Sequence, residues 1–269
     1  MELLNILLSS VLGLLSPVGL VLDETLEGQI AGYFQEVEEL QVRIDNAPNY
    51  QILSGQVERV RIAGRGLWLP PLVEGAGKGR SLRIALLEVE TDSIDVDLDR
   101  LDEGITALER PFQAGIRLVL EKEDFDRALQ TAETEVFRFD MGDFIVIDPQ
   151  IDFTDENRFQ VRVGVQQKGN DEPLQVAIAS GLRVRRGRYL EFLDPQISVN
   201  EEEATPELLD TVLGEARQVD LDRLTPPGIL IRFLRWNLTP DRFEIALFVR
   251  VSPDAEIEAG AYIRGGNGE

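Results

Sequence analysis

The sequence predicts an α+β fold in which a long N-terminal amphipathic helix packs on a strongly curved antiparallel β-sheet, with two further short helices. Two hydrophobic periods carry this prediction. Apolar residues recur at helical spacing from Pro17 to about Val37, and from Leu40 onward they alternate with polar residues. Because one amphipathic helix can bury its apolar stripe only on the apolar face of such a sheet, a single elongated core is expected.

The chain begins with an uncharged apolar block from Leu3 to Leu15. As a helix this block would extend about 20 Å, whereas crossing a bilayer takes roughly 20 apolar residues. A secretory signal would carry a basic start, but the only early charge is Glu2. Residues 1–15 are therefore interpreted as an interfacial membrane anchor, with a cleaved signal and a helix packed on the protein itself as open alternatives. The expected membrane contacts are Leu3, Leu4, Ile6, Leu7, Leu8, Val11, Leu12, Leu14 and Leu15.

The remainder is expected to form one domain over residues 16–264, followed by a disordered tail at 265–269. Ser16 and Pro17 are typical of a helix N-cap and first helical residue, and they start the predicted long helix. The apolar stripe of this helix consists of Leu22, Leu26, Ile30, Tyr33, Phe34 and Val37. A hydrophobic content of 43% in 269 residues is enough for a real core.

Half-buried strands are expected after this helix. They lie at 40–45, 57–62, 82–84, 94–99, 116–120, 144–147, 151–153, 159–165, 174–179, 182–185, 189–192, 197–199, 230–237 and 243–251. Short helices are predicted at 122–131 and after Thr205-Pro206. The motif Asp-Pro-Gln-Ile occurs at 148–151 and again at 194–197. Because proline cannot donate to a β-ladder, each copy predicts a kink or a sheet edge where a long strand bends.

The composition favours binding over catalysis. The chain carries 49 acidic and 27 basic residues, a net charge of −22, which opposes polyanion binding unless basic residues are locally concentrated. It has neither histidine nor cysteine, so the commonest general base, the base of a serine triad and thiolate metal ligands are absent. We therefore expect a protein that is not an enzyme, binds no nucleic acid and uses no cofactor or metal. An acid-pair hydrolase is a weaker alternative.

Two charged clusters stand out. Four arginines, Arg183, Arg185, Arg186 and Arg188, form a compact basic cluster that is a candidate for binding a phosphate headgroup, since guanidinium groups make bidentate bonds to phosphate. The alternative is that they neutralise acidic strands nearby. Asp95, Asp97 and Asp99 do not fit a calcium loop, and strand alternation predicts that they share one exposed face. A second basic stripe contains Arg59, Arg61 and Arg65.

The run LQVRIDNAPNYQILSGQVERVRIAGRGL at 40–67 resembles the LmeA-like phospholipid-binding family. The resemblance extends to 16–20, 88–92, 114–120, 123–129 and 224–228, whereas the loop at 69–80 departs from it. That family is considered similar to tubular lipid-binding domains, in which a long helix is cradled by a curved sheet and acyl chains enter the gap. The matching residues are structural rather than catalytic, so the resemblance implies a fold more strongly than a ligand.

Together, these patterns predict binding of a phospholipid or similar amphiphile in an apolar groove, for carriage or sensing of lipid at a membrane. The cell envelope is the expected location, with the cytoplasmic face of a membrane as the alternative. The other functional alternative is a structural or protein-interaction module with a solid core. The groove candidates are Leu26, Ile30, Phe34, Val42, Ile44, Val60, Ile62, Phe233 and Trp236.

Overall fold

The computed structural model describes residues 26–46, 54–69, 82–99, 108–130, 144–167, 172–205 and 218–255. The apolar block at 1–15, most of the predicted long helix, the predicted helix after Thr205 and the tail at 265–269 lie outside these residues. The two described α-helices are α1 (Leu26–Ala31) and α2 (Lys122–Gln130), and a 3-10 helix covers Leu221–Arg223. The strands are β1 (Glu36–Asp45), β2 (Gln56–Val57), β3 (Arg59–Trp68), β4 (Arg83–Thr91), β5 (Ile94–Asp95), β6 (Phe112–Glu121), β7 (Phe144–Thr154), β8 (Arg158–Gln167), β9 (Leu174–Arg185), β10 (Tyr189–Val199), β11 (Glu202–Glu203), β12 (Gln218–Asp220), β13 (Ile229–Thr239) and β14 (Arg242–Val251).

The first sheet has the strand order β1-β3-β4-β6-β14-β13, and all its neighbours are antiparallel. Its strands alternate apolar and polar residues, so one face collects the main core. Val60, Ile62, Leu118 and Ile245 on that face are at most 2% exposed. The opposite face carries cross-strand ion pairs. Arg117 there lies 3.0 Å from Glu88 and 2.9 Å from Glu244.

The prediction of a long N-terminal helix is wrong. In the described residues α1 ends at Ala31, and the chain turns and enters β1 at Glu36. Val37, assigned above to the helical stripe, instead pairs with Leu67 of β3. Two causes explain the error: Gly32 is a poor helix former, and the residues from Phe34 to Leu40 fit either period. Pairing along β3 then decides in favour of a strand, so the fold is mostly antiparallel β-sheet rather than a long helix on a sheet.

The second sheet has the order β11-β10-β9-β8-β7, with β12 also paired to β10. The bends predicted at the two Asp-Pro-Gln-Ile motifs are confirmed. The β-ladder shifts register between Ile147 and Gln150 and between Leu193 and Gln196, and Asp148 and Asp194 have φ values of 50° and 45°. Both motifs lie at an edge, since β7 is the outermost strand and β10 pairs with β12 and β11 only near its two ends.

The second sheet joins the first by one end. The backbone N–H of Phe233 donates to the carbonyl of Gly187, in the β9–β10 turn, at 2.7 Å. The N–H of Leu238 donates to Asn157 Oδ1, in the β7–β8 turn, at 2.7 Å. Both acceptors lie in turns at the same end of the sheet, and both donors belong to the edge strand β13. Helix α2, found close to its predicted range, packs Phe125 edge-on against Phe153 at 5.2 Å between ring centroids.

Candidate functional site

One face of the second sheet is apolar across three neighbouring strands. Val161, Val163 and Val165 of β8 stand directly opposite Ile178, Val176 and Leu174 of β9. Ile178 and Val176 in turn stand opposite Ile197 and Val199 of β10. Cross-strand partners project to the same side of a sheet, so these side chains form one continuous surface. We call it the apolar face: Val161, Val163, Val165, Leu174, Val176, Ile178, Ile197 and Val199.

The protein covers this apolar face only in part. Ile197 is 5% exposed, but the other members are half-buried or exposed, and Leu174, at the end far from β13, is 45% exposed. None of these eight side chains belongs to the main core formed with the first sheet. A partly exposed, continuous apolar strip can still bury hydrocarbon, at about 0.8 kcal/mol per methylene.

The bulge in β10 keeps this face continuous. Phe192 and Ile197 are five positions apart, so in a regular strand they would point to opposite faces. The extra residue at Asp194-Pro195 corrects the phase, and both residues stand opposite apolar partners on β9, Leu182 and Ile178. The repeated motif therefore bends the strand without interrupting its apolar side.

A polar cleft of about 720 Å³ lies between α2 and the bend of β7. Its charged lining includes Lys122, Asp126, Asp152 and Arg162. Lys122 pairs with Asp126 and lies 3.7 Å from Asp152, which also pairs with Arg162. Each of the two cations is paired with a carboxylate, and the lining also holds the carboxylate of Asp148, so the cleft offers no free positive charge to an anionic ligand.

Three of the four clustered arginines are ion-paired. Arg183 lies 2.8 Å from Glu191, and Arg185 bonds to the same carboxylate. The hydrogen bond from Arg183, reinforced by Arg185, lowers the pKa of Glu191. Arg188 forms a two-pronged bond to Asp220, which lowers the pKa of that carboxyl and raises the pKa of the guanidinium. These contacts fit the neutralisation alternative for three of the arginines.

Arg186 differs from its neighbours. It occupies the tip of the β9–β10 turn, where it is exposed, and it forms no ion pair with any part of the chain that the structure describes. The second basic stripe is also paired. Arg61 lies 3.1 Å from Asp45, Arg59 lies 3.3 Å from Glu90, and Arg65 lies 3.8 Å from Glu39.

The structure places the groove candidates in or against the main core. Ile30, Phe34, Val60, Ile62 and Phe233 are at most 8% exposed, and Val42, Ile44 and Trp236 are half-buried beside them. The side chain of Leu26 is outside the described set. Sequence reasoning passed over the apolar face, although the alternation at 161–165 and 176–178 was available as a signal. Alternation shows which side chains share a face, but not what covers it.

The prediction that Asp95, Asp97 and Asp99 share one exposed face is wrong. Asp95 is 8% exposed and its carboxylate lies 2.8 Å from Arg110, while Asp97 is half-buried and Asp99 exposed. The strand β5 ends at Asp95, so the alternation assumed for 94–99 does not continue. Among the described residues no group of three or more acidic side chains could hold a metal ion.

The family comparison agrees with the resemblance seen in the sequence. A family model described as LmeA-like phospholipid-binding matches residues 14–248, which include both sheets almost entirely. No curated protein and no solved structure matches the chain. Within the described ranges, no helix is long and apolar enough to cross a membrane. Since the match covers most of the 269 residues, the chain belongs to the LmeA-like phospholipid-binding family.

Proposed function

We propose that the protein binds a phospholipid or a similar amphiphile by laying its acyl chains on the apolar face, and that it carries or senses this lipid at a membrane. The observation that carries the proposal is the exposure of this face: Val163 and Val176 are half-buried and Leu174 is exposed, whereas the apolar face of the first sheet is buried. Membership of a phospholipid-binding family supports it independently.

The energetics are adequate for reversible binding. Burying about ten methylenes contributes roughly 8 kcal/mol, from which the cost of immobilising the lipid must be subtracted. The resulting affinity is moderate, as lipid carriage or sensing requires. The groove candidates of the first sheet leave less room for a tail, because Val60 and Ile62 already pack against protein side chains.

A binding role without catalysis also fits the charges. Lys122 and Arg162 in the polar cleft are matched by Asp126 and Asp152, and a chain without histidine lacks the usual general base. Membrane contact through residues 1–15 and headgroup contact through Arg183, Arg185, Arg186 and Arg188 stay predictions, as does a cell-envelope location.

The test is lipid content and lipid uptake of protein purified without harsh detergent. Native mass spectrometry should show a copurifying amphiphile in the wild type, and the double variant Val163→Asp/Val176→Asp should lose both that lipid and the uptake of fluorescent phospholipid from vesicles. The matched control is Gln160→Asp/Gln196→Asp. These glutamines stand in one cross-strand row with Ala179, on the opposite face of the same strands.

The control variant should keep wild-type uptake, because it adds the same charge away from the apolar face. If the aspartate variant fails to fold, the milder Val163→Thr/Val176→Thr variant should still reduce uptake several-fold, since each hydroxyl makes burial against hydrocarbon less favourable. Equal uptake by all variants would contradict the proposal. No lipid in any preparation, together with a copurifying protein, would favour the interaction-module alternative.

A further inference from the structure

We infer that the protein has a docking surface for an anionic bilayer at the end of the second sheet that meets β13. We call this surface the basic tip and define it by Arg186, Arg223, Leu234 and Arg235. The inference goes beyond the proposed function. The apolar face would hold a single lipid, whereas the basic tip would contact the surface of a bilayer at a different place on the protein.

Backbone geometry fixes the basic tip in place. Arg186 and Gly187 have φ values of 55° and 66°, as the two central residues of a type I′ hairpin turn require. The Gly187 carbonyl accepts the hydrogen bond from Phe233, and a Cβ at position 187 would lie only 3.0 Å from the Phe233 carbonyl oxygen. The turn is therefore held close against β13, and Arg186 projects from a fixed position.

Leu234 is the apolar part of the basic tip. The β13–β14 ladder shifts register between Phe233 and Arg235, which leaves Leu234 outside the pairing as a bulge residue. Its exposure of 68% exceeds the 37% of Leu98 and the 45% of Leu174, the other exposed large apolar side chains in the described ranges. One exposed leucine needs no special explanation. An exposed leucine next to Arg235 in a strand that contacts the turn of Arg186 is typical of a membrane-surface contact.

The charge at the basic tip is opposite to that of the whole chain. The segments 183–188 and 223–235 hold seven arginines. Six carboxylates lie at this end of the second sheet: Glu191, Asp220, Asp222 and Glu244, which pair with arginines of these segments, and Asp155 and Glu156 of the β7–β8 turn. Arg186 and Arg223 are exposed without a direct ion pair among the described residues, although the charge of Arg223 contributes to the lowered pKa of Asp220. Arg235 is 61% exposed and lies 3.7 Å from Glu244, a carboxylate that also pairs with Arg117.

This local excess of positive charge can act despite the net charge of −22. Exposed charges farther apart than about 8 Å are largely screened at physiological salt, so distant carboxylates contribute little at the tip. Unpaired guanidinium groups bind lipid phosphate through two parallel hydrogen bonds. The apolar Leu234 beside them favours a bilayer surface over nucleic acid, which would meet only the charges.

The test is binding of the full chain to vesicles that contain phosphatidylglycerol and to vesicles of phosphatidylcholine alone, at low and at high salt. The variant Arg186→Gln/Arg223→Gln should bind anionic vesicles roughly 25-fold more weakly, about fivefold for each cation at an anionic surface. Binding to neutral vesicles should not change. The matched control is Arg65→Gln/Arg250→Gln, two exposed arginines of the first sheet, and it should change anionic binding less than about twofold.

Leu234→Ser should weaken binding several-fold on anionic vesicles and leave stability unchanged, because the side chain is already in water. Wild-type binding should decline as salt rises, and more steeply than that of the arginine variant. If Arg186→Gln/Arg223→Gln lost binding equally on anionic and neutral vesicles, the inference would be overturned. It would also be overturned if the control variant lost as much anionic binding as the arginine variant. So would unchanged anionic binding of both tip variants.

The two proposals can fail separately. Variants of the basic tip should keep their copurified lipid, and Val163→Asp/Val176→Asp should keep its preference for anionic vesicles. A tip variant that loses its preference for anionic vesicles but keeps its copurified lipid would support the inference about the basic tip. The proposal for the apolar face is tested separately by Val163→Asp/Val176→Asp. Loss of both properties in a folded tip variant would mean that one surface performs both tasks, which contradicts the inference.

Discussion

The two sheets use the same alternation of apolar and polar residues but bury their apolar faces to different extents. In the first sheet Val60, Leu87 and Leu118 are at most 2% exposed. In the second sheet Val163 and Val176 are half-buried and Leu174 is 45% exposed. The difference arises from attachment. Near β13 the second sheet packs Phe153, Phe159 and Val184 into or against the main core, whereas the members of the apolar face lie outside that core. An identical sequence pattern can therefore make a buried core in one place and a partly exposed apolar surface in another.

The comparison is tested most strongly by the same truncation in each sheet. Leu118→Ala, at a site 2% exposed, should lower the free energy of unfolding by about 3 kcal/mol, because it removes transfer free energy and leaves a cavity. Leu174→Ala, at a site 45% exposed, should cost less than about 1 kcal/mol. Urea denaturation measures both. Similar losses would show that the second sheet has a closed core after all.

A smaller loss in the free energy of unfolding is expected when Glu244, the buried carboxylate on the outer side of the first sheet, is replaced. Glu244 is 4% exposed, and the hydrogen bond from Arg117, assisted by Arg235, lowers its pKa. Glu244→Gln should cost about 1.5 kcal/mol at neutral pH, since it weakens a charge-assisted hydrogen bond.

The pH dependence of this loss has a defined sign. A carboxyl whose pKa is lowered by folding stabilises the folded state fully above its unfolded pKa of about 4.3 and loses that contribution as the pH falls through the folded value. The difference between wild type and Glu244→Gln should therefore be constant near neutral pH and shrink in acid. A difference that is the same at all pH values would show that packing, not charge, is responsible.

The smallest loss of stability is expected at the β9–β10 turn, which attaches the second sheet to β13. Gly187→Ala should cost about 1 kcal/mol, because the residue has a φ of 66° and the new Cβ would crowd the Phe233 carbonyl oxygen. Gly115→Ala in β6 is the control, since its Cβ would meet no atom within 4 Å. Thermal unfolding compares the two variants. A cost at Gly115 equal to that at Gly187 would remove the special role assigned to the turn.

Much of the secondary structure follows from the sequence, because strand alternation and proline act locally. The bends at Asp148-Pro149 and Asp194-Pro195 and the helix beginning at Lys122 were all predictable in this way. The end of α1 was not, because the residues after Gly32 fit two periods and pairing with β3 decides between them. The apolar face was not predictable either. Val163 and Ile62 have the same local pattern, and only the arrangement of the two sheets makes one half-exposed and the other buried.

The two Asp-Pro-Gln-Ile motifs also affect whether the second sheet can pair edge to edge with another molecule. An open strand edge offers unpaired N–H and C=O groups on which a strand from another molecule can assemble. Pro149 lies on the edge strand β7, and Pro195 lies on the stretch of β10 between its pairings with β12 and β11. Each proline removes a donor, and each bulge breaks the regular spacing that an incoming strand needs. The same four residues that bend these two strands thus protect the second sheet against edge-to-edge aggregation, a hazard for any protein with an exposed apolar sheet.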